Sequence, residues 1–170
     1  SLFRKEIVHD LRLADHGFAV LAREPSSFTP FPDGRSLLMG PDAELMRKEI
    51  GKFSQRDAER YPRYEAMLER VADVIEPTLT MSPPDLLRPR LGDLRKLFTL
   101  GRAFQRLGPG AGEAVEILTG AARTVLDRWF ESEELKGTLA TDAIIGAMAS
   151  PSMPGTARLR SRVFQAIFCR

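Results

Sequence analysis

Apolar positions in this chain fall into two patterns, a helical spacing and short unbroken runs. From Pro41 to Ile144 they return every three or four residues, the spacing of helices with one buried face. Asp42 is placed to cap a helix through Lys52 with Leu45, Met46 and Ile50 on one side. Ser54 and Asp57 have the spacing of a capping box, in which each residue satisfies an otherwise unpaired backbone donor. Tyr64, Leu68, Val71 and Ile75 carry that helix onward, with a kink expected near Tyr61 because Pro62 lacks an N–H. Pro77 and Pro83-Pro84 end it, and residues 81–90, which include Pro89, predict a stiff connection.

A further helix is predicted from about Asp93 to Leu107, with Leu94, Leu97, Phe98 and Phe104 apolar, stopped by Gly108-Pro109-Gly110. The clearest pattern follows. Val115, Leu118, Ala122, Val125, Leu126 and Trp129 fall on one face of a helix running from Glu113 to Phe130. Glu113, Glu116, Arg123 and Asp127 occupy the other. Ser132 then caps a last helix through Leu135, Leu139, Ala143 and Ile144, and Ser150 to Gly155 breaks it.

Ahead of Pro41 the signals are those of strands. Phe18 to Arg23 is an apolar run, and Ser36 to Met39 is a second. Pro25, Pro30 and Pro32 prevent a helix between them, and Asp33-Gly34 marks a tight turn. The expectation is a small antiparallel sheet over residues 17–40 with Asp33-Gly34 at a hairpin tip. So small a sheet has to pack on something else. The fold class that follows is mainly α with a small β-hairpin near the N-terminus, an α+β chain.

Composition narrows the function classes. With 43% apolar and 28% charged residues, the 170-residue chain reads as globular. No apolar run approaches the ~18 residues that cross a bilayer, so no transmembrane segment is expected. The net charge of +2 is unevenly spread: Arg158, Arg160, Arg162 and Arg170 lie in a tail without acids. Setting those four aside leaves 21 of the 25 bases against 23 acids, which argues against a nucleic-acid groove. Cys169 is the only cysteine and excludes an internal disulfide or a multi-cysteine zinc site.

The search for chemistry is mostly negative. Gly108-Pro109-Gly110-Ala111-Gly112-Glu113 resembles a dinucleotide loop, but Glu113 stands where the third glycine belongs and a helical pattern precedes it. An inter-helix turn is the expected reading. His9, His16 and Cys169 lie at opposite ends of the chain, and no nucleophile signature accompanies them. Glu131, Glu133 and Glu134 sit at a helix start, where negative charge is favourable in any case. There is no His-x-x-x-His pair and no calcium loop, so no metal is expected.

Three strings carry more than helix and turn signals: Pro25 to Arg35, Phe53 to Glu65, and Val125 to Thr156. Together they resemble the middle of phytoene-desaturase-like flavoproteins of the amine oxidase superfamily, over about residues 1–156 in unbroken order. The resemblance implies a two-lobed FAD-dependent oxidoreductase. Its nucleotide fingerprint lies outside this chain, and these residues form the substrate-side lobe over the flavin. A start at Ser1 rather than Met fits an internal segment. The partners implied are the flavin-binding lobe of the same protein and mitochondrial proteins. The location implied is the mitochondrial matrix in a eukaryote or the cytoplasm in a bacterium. Gly146, Pro151, Pro154 and Gly155 are the candidate cofactor-binding residues, since small residues in a broken helix let backbone approach the flavin or substrate cavity. No residue is carried over as catalytic. After Thr156 the sequence departs from the resemblance, and residues 157–170 read as a basic tail left by truncation or a frame change. The competing expectations are a helical protein-interaction module without enzymatic role and a non-functional truncated product.

Overall fold

The computed structural model describes residues 5–21, 24–75, 78, 81–144 and 149–157. A short helix α1 (Lys5–Asp10) and a 3₁₀ turn (Leu13–His16) lead into a hairpin of β1 (Ser27–Pro30) and β2 (Ser36–Met39). Helices α2 (Ala43–Gly51), α3 (Gln55–Ile75), α4 (Leu91–Arg106), α5 (Ala111–Thr119), α6 (Ala122–Trp129) and α7 (Glu133–Ile144) follow. The described residues are mainly α with one two-stranded antiparallel sheet, as the sequence predicts.

The hairpin pairs Ser27 with Met39 and Pro30 with Ser36, and Gly34 takes a φ of +83° in the connecting turn. Asp33 holds that turn: its carboxylate accepts from the Arg35 backbone N–H at 2.9 Å and from Arg35 Nε at 2.6 Å. The first strand is not where the apolar run suggested. Residues 18–21 have no regular structure, and Ala22 and Arg23 lie outside the described residues. The strand lies instead in the proline-rich stretch. A turn at Asp33-Gly34 can pair only chain close to it, and Phe18 is too far back. Pro30 is tolerated at the end of an edge strand, where its missing N–H breaks no central ladder.

Only β2 faces the core, through Leu37 and Met39; β1 is largely exposed, Phe28 included. The other edge of β2 is closed by a buried side chain. Glu49 of α2 accepts the Leu38 backbone N–H at 3.0 Å and pairs with Lys52. Burial disfavours the charge on Glu49, but the Lys52 and Leu38 hydrogen bonds and the charges of Lys52 and Lys48 outweigh it. Its carboxyl is therefore held below the usual range.

α3 runs through Pro62 without interruption and supplies Ala58, Tyr61, Tyr64, Met67, Leu68, Val71 and Ala72 to the core. Half of the expected capping box forms. Ser54 Oγ accepts the Asp57 backbone N–H at 3.1 Å, but the Asp57 carboxylate turns away from Ser54. It accepts from the backbone N–H of Glu131 at 3.0 Å, from that of Ser132 at 2.9 Å, and from the Ser132 hydroxyl at 2.6 Å. Asp57 is fully buried, so the start of α3 is stapled to the start of α7 by a carboxylate placed among N-terminal donors. Next to it, Phe130 packs edge-on against Tyr64 with ring centroids 5.0 Å apart. Leu135, Leu139 and Ala143 of α7 are buried as expected, and Lys136 bridges Asp127 and Glu133.

The single helix expected from Glu113 to Phe130 is two helices broken at Gly120-Ala121. Gly120 is extended, and a Cβ there would lie 2.4 Å from the Glu116 carbonyl oxygen. Val115 consequently faces solvent rather than the core, while Ala114 and Ile117 are the buried residues of α5. α4 buries no residue fully and rests on the core only through Phe104, with Leu107 beyond its end; Leu94 and Phe98 are exposed.

Candidate functional site

A cleft opens where α3, α5 and α6 converge, and helical spacing explains each of its residues. α3 contributes Arg60, Arg63 and Met67, α5 contributes Glu113, Glu116 and Ile117, and α6 contributes Val125, Arg128 and Trp129. These are positions i, i+3 and i+7 on α3 and i, i+3 and i+4 on the other two, so each helix turns one stripe toward the same space. The cleft volume is about 330 Å³, at the small end of pockets that hold organic ligands. Met67, Ile117 and Val125 form a buried apolar floor. Trp129 is half-buried, with its ring edge-on to Tyr64 at 5.4 Å. It was expected as a core residue and is shared between the core and the cleft.

Charged groups form the rim. Arg128 pairs with Glu116, and Glu113 faces Arg70 at 3.7 Å. Arg60 donates to the Trp129 carbonyl at 3.3 Å, a cation at the end of α6 where the helix dipole is negative. Nothing in the sequence alone marks this constellation. The arginine spacing on α3 was visible, but its convergence with α5 and α6 depends on the break at Gly120.

Of the residues proposed from sequence, those described lie elsewhere. Gly146 and Cys169 fall outside the described residues. Pro151, Pro154 and Gly155 belong to a turn docked into the α5–α6 break. The Pro151 carbonyl accepts the Arg123 N–H at 3.0 Å. The Gly155 N–H, at a φ of +82°, donates to the Thr119 and Gly120 carbonyls, both at 2.8 Å. Thr156, buried beside them, accepts the Ala122 N–H at 3.0 Å and donates to the Met153 carbonyl at 2.7 Å, so it caps α6. Pro151, Pro154, Gly155 and Thr156 do not line the cleft. The turn closes orphan backbone groups at two helix ends, and Ala157 joins the core just beyond it.

Gly108-Pro109-Gly110 is a 3₁₀ turn between α4 and α5, as expected, and does not follow a strand. His9, at the end of α1, and His16, in the 3₁₀ turn, are both exposed. Among the described residues no three His, Cys, Asp or Glu side chains gather to hold a metal ion. No helix among them is long and apolar enough to cross a membrane.

Comparison with known proteins adds the decisive observation. Over 170 aligned residues, which cover 92% of this chain, 43% are identical to pyridine nucleotide-disulfide oxidoreductase domain-containing protein 2 of Rattus norvegicus. This chain is similar to one segment of that protein. The Mus musculus protein of the same name is also 43% identical over the same span. The chain spans 29% of the length of these relatives. No family model matches the chain. No solved structure matches it.

Proposed function

We propose that this chain is the substrate-side segment of an FAD-dependent oxidoreductase of the phytoene-desaturase-like group in the amine oxidase superfamily. The observation that carries the reading is the 43% identity to relatives named as oxidoreductase-domain proteins. The architecture is compatible: a hairpin backed by helices suits a covering lobe, and dinucleotide sites need a parallel strand–turn–helix unit.

The described residues do not fit a flavin's diphosphate. Their one glycine-rich turn follows a helix, and their one sheet is an antiparallel hairpin. The diphosphate is therefore held by residues beyond those described. In this reading the chain covers the cofactor, excludes water from the reacting ring and positions the substrate, while the redox chemistry is the cofactor's own. Gly146, Pro151, Pro154 and Gly155 border the flavin side, with the α5–α6 turn fixing that border. The partner is the flavin-binding lobe of the same protein. In a eukaryote the complete protein works in the mitochondrial matrix with mitochondrial proteins around it, and in a bacterium it works in the cytoplasm.

The test is a chimera: the matching segment of the rat protein is replaced by this chain, and the product is purified and scanned for flavin absorbance. One flavin per polypeptide, in the parent and in the chimera alike, is the expected result. A rat protein that purifies without flavin, while the chain captures defined protein partners, would instead favour the interaction-module reading, whose surface is the amphipathic stretch from Glu113 to Phe130.

A further inference from the structure

The cleft between α3, α5 and α6 carries positive charge that its own side chains do not neutralise. Of its three guanidinium groups, only that of Arg128 has a carboxylate partner among the described residues, Glu116. Glu113 faces Arg70, which is not a cleft residue. Arg60 reaches a carbonyl oxygen, which accepts a hydrogen bond but carries no net charge. Arg63 has no carboxylate within ion-pair distance among the described residues. Arg60 and Arg63 are three residues apart on α3 and so stand side by side. Two like charges on the same rim repel each other, and an anion between them relieves that repulsion.

We infer that this cleft binds a small organic anion whose carboxylate or equivalent group lies between Arg60 and Arg63 and whose flat apolar body lies against the Trp129 indole. Guanidinium groups match a carboxylate geometrically, through paired N–H donors. The accessible apolar surface is the partly exposed Trp129 indole, backed by the buried Met67 and Ile117, which suits a planar body. The volume of about 330 Å³ restricts the ligand to a small molecule. Glu113 and Glu116 on the α5 side repel an extended polyanion, so the acid group has to be local to one end of the ligand. Every residue in the argument belongs to this chain, so the inference stands apart from the flavin reading.

The only tryptophan of the chain lies in the cleft, and its emission reports occupancy directly. The 170-residue chain is titrated with 4-nitrobenzoate, an indole quencher, and with uncharged 4-nitrobenzyl alcohol. Saturable quenching by the anion is expected, about tenfold tighter than for the alcohol. Arg63→Ala is expected to weaken the anion about tenfold and leave the alcohol unchanged. Arg63 is exposed and makes no ion pair among the described residues, so its removal spares the fold. Arg95→Ala on α4 serves as the control for general loss of charge and is expected to change neither titration. Equal affinities for the two probes, quenching that does not saturate, or the same loss in Arg95→Ala as in Arg63→Ala would overturn the inference. Each of those results leaves the flavin content of the chimera untouched.

Discussion

Replacing Asp57 by alanine tests how α3 and α7 are held together. The Asp57 carboxylate is fully buried and serves three donors: two backbone N–H groups and the Ser132 hydroxyl. Hydrogen bonds to a charged acceptor contribute about 1.5–3 kcal/mol each, and a buried donor left unpaired costs about 1–3 kcal/mol. In Asp57→Ala the Ser132 hydroxyl can rotate to another acceptor, but the Glu131 and Ser132 backbone donors stay in place. Partial entry of water reduces the loss, so a net cost of about 3–4 kcal/mol is expected, a large share of the roughly 5–15 kcal/mol that stabilises a typical domain. Ser132→Ala removes one donor and leaves the two backbone bonds intact, at about 1 kcal/mol. Urea unfolding followed by Trp129 emission measures both, with the denaturant slope compared to check that unfolding exposes similar surface. A loss below about 1 kcal/mol in Asp57→Ala, or equal losses in the two variants, would refute the staple.

Other perturbations probe the helix break and the hairpin edge. Thr156→Val removes the cap on the Ala122 N–H and is expected to cost about 1–2 kcal/mol, a fall of a few degrees in the calorimetric midpoint. Gly120→Ala places a Cβ 2.4 Å from the Glu116 carbonyl oxygen, so backbone has to move; a loss above about 2 kcal/mol in urea unfolding is expected. Glu49 is held below its ordinary value of 4.5, so its contribution is present above that value and lost as pH falls through the lower folded one. Glu49→Gln should therefore be less stable than the parent at pH 7 and show a shallower decline in stability between about pH 5 and pH 3. Identical acid slopes for the two proteins would contradict the buried pairing with Lys52 and Leu38.

What the sequence made legible was local. The β2 run, the Asp33-Gly34 turn, the α2 cap and the buried leucines of α7 each follow from a few adjacent residues, and the structure has all of them. The errors arose where distant chain decides. The stripe from Val115 to Trp129 fits a single helix, and Gly120 alone hints otherwise. The break becomes favourable because Gly155, Thr156 and Ala157 arrive to satisfy its orphan carbonyls and N–H groups. Asp57 has the spacing of a capping box, yet stronger donors from Glu131 and Ser132 take its carboxylate. The apolar run at Phe18 to Arg23 points to the wrong first strand, because apolar content carries no information about distance from the turn. The cleft was invisible for the same reason as the break: three ordinary helical stripes become a site only through their packing.

The central claim is that flavin is gripped outside these residues, and a titration of the 170-residue chain with FAD, read by flavin fluorescence, bears on it most directly. The account predicts no saturable binding at micromolar FAD. Tight uptake of one FAD per chain would contradict it.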